Sequence, residues 1–212
     1  MFSFISKKLG VVVTMKKERD FLIHPSYILM FLLLAGISSL FLGFSGAYLY
    51  NRIQQGVPPV QLPSLFYFNT LLLVCSSFLL MWAKKSYQKD DTRNYKLALI
   101  ITLVLTIGFL VLQIFAWRQL QASDIFINYN NMASYMYLIS GLHFAHVVAG
   151  IPFLIIFVVN AVRKMKSPVS VLIYFSDLKK KRRLDLFNIY WHFLDGLWIY
   201  LVIFFLVNYL IQ

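Results

Sequence analysis

Five long apolar runs alternate with short polar stretches along the chain, at about 27–50, 64–83, 97–117, 133–160 and 188–211. Each is at least about 30 Å long as a helix, enough to cross the hydrocarbon core of a bilayer. The pattern predicts an all-α integral membrane protein with five transmembrane helices (27–212), preceded by a basic cytoplasmic segment, 1–26. His24-Pro25-Ser26 marks the entry to the first helix, because Pro favours a first helical turn. Gly56-Val-Pro-Pro59 and Pro63 break the chain before the second run, and Asn128-Tyr-Asn-Asn131 opens a loop before the fourth. Pro152 is a candidate kink inside the fourth.

Small residues recur every fourth position in two runs. Ala35, Ser39, Gly43 and Ala47 form one stripe, and Gly141, Ala145 and Ala149 another. Such stripes let a neighbouring helix come close and are expected to pack. Polar groups inside the runs are few: Asn69, Thr70, Ser76, Ser77 and Gln113 can bond across helices. Asp195 is the only carboxylate in any run. An ionisable group at membrane depth costs about 2.5–3.5 kcal/mol or more and normally faces protein. Trp191, His192 and Trp198 lie four before, three before and three after Asp195, on one flank of the last helix. Two readings stay open: a polar, aromatic face that docks another helix, or an interfacial aromatic belt with a snorkelling Asp near the helix end.

Composition supports the membrane class, with 60% hydrophobic and 13% charged residues against about 25% charged in soluble domains. The net charge of +12 sits almost wholly between the runs, where it faces lipid and sets orientation; nucleic acid is not the expected partner. Lys and Arg number five before the first run, then one, five, one and eight in successive connections, and none after the last. That alternation predicts a cytoplasmic N-terminus and an outside C-terminus. Lys179-Lys-Lys-Arg-Arg183 is the densest basic cluster. The single cysteine, Cys75, excludes a disulfide within the chain and is expected to serve as a small buried hydrophobe. Residues after Lys7-Lys8 do not form a convincing signal peptide, and Met15 offers an alternative start.

His143 and His146, spaced i, i+3, share a face of the fourth helix. A zinc or di-iron site would want more carboxylates or histidines than the runs hold. A haem would need an axial His, with His143 or His146 paired to His192 as the available set. The plainer alternative is hydrogen bonding between helices or to a neighbouring subunit. No phosphate loop, nucleophile–base pair or paired intramembrane carboxylates accompany them.

Two motifs are specific enough to name a family. Gly141-x-His143-x-x-His146-Val147-x-x-Gly150 resembles a helix of subunit III of the haem–copper terminal oxidases. Tyr190-Trp-His-Phe-Leu-Asp195 with Trp198 resembles the segment that opens that family's last helix. Asn69-Thr70 with Trp82-Ala83, and Leu112-Gln113, echo earlier helices in the same order. The resemblance covers residues 25 to 212 and implies the short, five-helix form common in bacteria; longer members add two N-terminal helices across a lipid-filled cleft. Family members often carry an acid in the helix that here reads Ala35-Gly-Ile-Ser-Ser39, and another after the Leu-Gln pair, where this chain has Ile114. A role resting on those carboxylates is not carried over.

The resemblance implies a subunit of a cytochrome c oxidase in a bacterial inner membrane, within aerobic respiratory electron transport. The chain itself would hold no cofactor, metal or catalytic residue, and haem and copper would belong to partner subunits I and II. It would pack on subunit I, bind phospholipids, and support stability and proton uptake. The donor to the complex would be cytochrome c, or quinol in the alternative of a quinol oxidase, with membership of a respiratory supercomplex a further option. Gly141, His143, His146, Gly150, Trp191, His192, Asp195 and Trp198 are the expected helix-packing or subunit-contact residues. A stand-alone haem-binding electron carrier is the competing class.

Overall fold

The computed structural model describes residues 24–211, so the basic N-terminal segment lies largely outside the described residues. Six helices follow in order: α1 Pro25–Gln55, α2 Ser64–Gln88, α3 Thr92–Ala122, α4 Asn131–Lys164, α5 Pro168–Phe175 and α6 Leu178–Leu210. All but α5 are long and apolar enough to cross a membrane. There is no strand among the described residues.

The helix ends follow local chemistry. The imidazole of His24 caps α1 by accepting from the Ser26 N–H. Gly56 ends α1 in the left-handed region, at φ 59°, a conformation that suits glycine, and its N–H closes on the Arg52 carbonyl. Asp91, Asn130 and Asp177 cap α3, α4 and α6 with their side chains, and Ser167 and Ser170 form a capping box on α5. Pro152 sits inside α4 without ending it.

The α6 helix is the centre of the bundle and touches α1, α2 and α4, while α3 bridges α2 and α4. Its apolar window is 44% buried, against 22–33% for the other four spans. A helix enclosed on several sides needs apolar residues nearly all round, which is why the last run shows no clean polar face.

Several expectations need correction. The last helix begins at Leu178, ten residues before the apolar run at Asn188, so Lys179 to Arg183 and Asp185 lie on its first turns. Hydropathy marks bilayer depth, whereas a capped helix continues into water. The α5 helix was not expected at all. Cys75 is exposed, because α2 packs through Phe66, Asn69, Leu73, Ser76 and Leu80 instead. Among the described residues the small-residue stripes are not the faces that join this chain's own helices. Ala35, Ser39 and Gly43 are exposed, and α1 docks through Ile37, Phe41, Ser45 and Tyr48. Ala145 and Ala149 are exposed as well, and Gly141 is half-buried with nothing near it.

Candidate functional site

Helices α2 and α6 run antiparallel and are joined by a polar rung about every seven residues. Trp198 Nε1 donates to the Thr70 hydroxyl (3.1 Å), and Trp191 Nε1 to the Ser76 hydroxyl (3.3 Å). Ser77 and His192 Nδ1 share a hydrogen bond of 2.5 Å. The ladder ends in an ion pair, Lys84 to Asp185, at 3.0 Å. Seven residues are about two helical turns, or 10.5 Å, so each rung falls on the facing stripe of both helices. Thr70 and Ser76 also donate to backbone carbonyls of their own helix, so each hydroxyl is used twice.

Asp195 lies within this ladder and is only 5% exposed. Its burial against α2 favours the docked-face reading over a side chain that snorkels to the interface. Its neighbour is the Ser77 hydroxyl. One oxygen, Oδ2, has no partner among the described residues. Along α6 it is flanked by half-buried His192 and by exposed Gly196, beside which nothing lies within 4 Å.

The two motif helices, α4 and α6, interlock. The His143 ring is fully buried between Trp198 (centroids 4.9 Å) and Phe109 of α3 (6.0 Å), and neither nitrogen has a partner among the described residues. His146 turns the other way, toward Phe41 of α1 (5.9 Å), and its Nδ1 donates to the Leu142 carbonyl at 2.7 Å. Tyr190 donates to the His146 carbonyl at 2.9 Å. Gly150 is needed for this closeness: a Cβ there would stand 3.0 Å from Cζ3 of Trp191 and 3.3 Å from Cε1 of Tyr190. Gly141 has open space instead and takes no part in the contact.

Further pairs tie the remaining helices. Asn69 donates to Gln113 (2.8 Å) in the α2–α3 core, and Trp117 to Ser140 (3.1 Å) between α3 and α4. Asn51 donates to the Tyr135 hydroxyl (2.9 Å), and Arg52 to Asn208 (2.8 Å), which anchor α1 to α4 and α6. Sequence reasoning left Arg52, Asn208 and Ser140 aside. A single polar residue near a helix end gives no signal of its partner. Among the described residues no three His, Cys, Asp or Glu side chains gather closely enough to hold a metal ion. His143 and His192 are set to different neighbours, Phe109 and Trp198 for one, Ser77 for the other.

These features define a class: a helical membrane protein whose few polar groups join helices to one another. The family model for cytochrome c oxidase subunit III matches residues 51–209, three quarters of the chain and every element of the α2–α6 ladder. The chain belongs to the cytochrome c oxidase subunit III family. It is 29% identical over 187 residues to cytochrome c oxidase subunit 3 of Thermostichus vulcanus, covering 84% of this chain and 86% of that protein. It is 29% identical to the Synechocystis protein of the same name (81% and 71% covered) and 27% identical to that of Alkalihalophilus pseudofirmus (79% of each).

Proposed function

We propose that this chain is a redox-inactive subunit of an oxygen-reducing, proton-pumping cytochrome c oxidase, packed on subunit I and supporting its stability and proton uptake. The observation that carries this reading is the interlock of the two family motifs, with His143 on Trp198 and Gly150 against Trp191. The motif histidines and tryptophans pack between helices, which supports a reading in which haem and copper belong to subunits I and II. The names of the relatives favour cytochrome c over quinol as donor. A cytoplasmic N-terminus in a bacterial inner membrane is consistent with the basic α2–α3 and α4–α6 connections.

Asp195 is the residue we assign to the helix packing on which assembly depends. Its Oδ2 is enclosed within the chain with no hydrogen-bond partner among the described residues, so the residue acts on assembly through the fit of α6 against α2. The test is Asp195→Asn and Asp195→Leu in the assembled complex, read by a reduced-minus-oxidised spectrum and oxygen uptake with cytochrome c. Weaker assembly or a shorter working lifetime, most severe for Leu, with unchanged haem per subunit I, is the expected result. A haem signal lost from an otherwise assembled complex would sink the reading.

A further inference from the structure

One end of the bundle gathers the α2–α3 turn, α5 and the start of α6. Lys84 pairs with Asp185, the Tyr87 hydroxyl donates to the Tyr174 carbonyl (3.0 Å), and Lys96 Nζ donates to the Met165 carbonyl (2.8 Å). Thirteen Lys and Arg and four Asp fall here, whereas the connections at the opposite end hold two Arg and one Asp.

Helix α5 packs at this basic end. Tyr174, 3% exposed, fixes it by packing on Tyr87 and Tyr95. Its other face presents Val169, Leu172 and Ile173, spaced i, i+3, i+4 and exposed to 68, 66 and 64%, and Leu178 follows at 74%. Eight residues make about 12 Å of helix, too short to cross a bilayer. It joins the end of α4 at Lys164 to the start of α6 at Leu178, and Tyr174 holds it beside the α2–α3 turn, at the end of the bundle where the basic residues gather. Some nearby cations are occupied: Lys180 pairs with Asp177 and covers the Tyr174 ring, and Arg182 bonds His24. Arg163, Lys164, Lys166, Lys179, Lys181 and Arg183 are exposed, and their side chains have no hydrogen-bond or ion-pair partner among the described residues.

We propose that α5 is an in-plane anchor for a leaflet of anionic phospholipid. Val169, Leu172 and Ile173 enter the acyl boundary, and the cations on either side of α5 take the headgroup phosphates. An aliphatic face bracketed by cations at both ends suits that surface. An acidic protein would leave the aliphatic stripe unused, and an apolar helix would leave the cations unused. The inference needs the five spans and does not depend on the oxidase reading.

The test uses the full chain carrying Cys75→Ser and Ile173→Cys, labelled with an environment-sensitive fluorophore. It is placed in phosphatidylcholine nanodiscs with and without phosphatidylglycerol. The label is expected to shift to the blue and to be quenched by lipids brominated near the headgroup, more strongly with phosphatidylglycerol. Native mass spectrometry should show phosphatidylglycerol retained, with a loss of preference of about fivefold per cation removed in Lys179→Gln/Lys181→Gln/Arg183→Gln. Leu172→Ser, on the same exposed face, should lower the quenching. A label in water in both discs overturns the proposal. So does quenching indifferent to both lipid charge and the charge variants, and so does protection that appears only when other oxidase subunits are added.

Discussion

Replacing Gly150 with Ala tests how closely α4 and α6 must approach. The new Cβ would lie 3.0 Å from Trp191 Cζ3 and 3.3 Å from Tyr190 Cε1, inside the 3.5–4.0 Å optimum for carbon pairs. Neither ring retreats easily. Trp191 is held by Phe187 (centroids 5.2 Å) and by its bond to Ser76, and Tyr190 by its bond to the His146 carbonyl. Overpacking of this kind costs about 1–3 kcal/mol, while Ala is favoured over Gly in a helix by about 1 kcal/mol. The net is a loss of about 0–2 kcal/mol. Gly141→Ala isolates the propensity, because nothing lies within 4 Å of that site. It should gain up to about 1 kcal/mol, so the two variants should differ by about 1–3 kcal/mol. Unfolding of the detergent-solubilised chain by titrated dodecyl sulfate measures this difference. Trimming the indole in Gly150→Ala/Trp191→Phe should recover part of the loss, with a coupling of at least about 0.5 kcal/mol. A Gly150→Ala chain as stable as Gly141→Ala would refute the reasoning.

Asn69→Leu should destabilise by about 1–2 kcal/mol because it leaves the buried Gln113 amide unpaired. Asn69→Leu/Gln113→Leu, read in the same assay, should be less damaged than the single variant, since no orphan remains. Desolvation works to raise Asp177, but the backbone N–H groups of Lys179 and Lys180 and the Lys180 ammonium hold its carboxyl below the usual 3.8. With its folded value depressed, its stabilisation of the α6 start is complete above about pH 4 and lost as pH falls through the folded value. The protection factors of the Lys179 and Lys180 amides, taken relative to the intrinsic exchange rate at each pH, should fall over that range, and Asp177→Ala should show the low protection at neutral pH.

The spans were legible because hydropathy reports depth directly, and all five apolar runs became helices. The motif residues were legible as types but not as partners. Trp191, His192 and Trp198 suggested a face, yet only the fold shows that Ser76, Ser77 and Thr70 receive it. Helix ends were poorly legible. Lys179 to Arg183 repel a bilayer but not a helix, and Asp177 caps one there. The small-residue stripes gave no partner, because the absence of bulk permits close approach without specifying which helix makes it. Of the glycines on them, Gly43 and Gly141 meet nothing, while Gly150, off both stripes, meets two rings.

Placing the polar rungs on α2 and α6 has a consequence for where instability would begin. A hydrogen bond between membrane helices contributes only about 0.6 kcal/mol on average, so no single rung holds the pair. The rungs instead fix register, since a slip by one turn would move Trp198 off Thr70, Trp191 off Ser76 and Lys84 off Asp185 together. The interlock with α4 depends on the same register, because Trp191 and Trp198 are the rings that meet Gly150 and His143. The two family motifs therefore act as one unit, with α2 setting the height of α6 and α6 setting the packing of α4. Asp195 sits at the middle of that unit. Replacing it would act where three of the helices are already committed to one another.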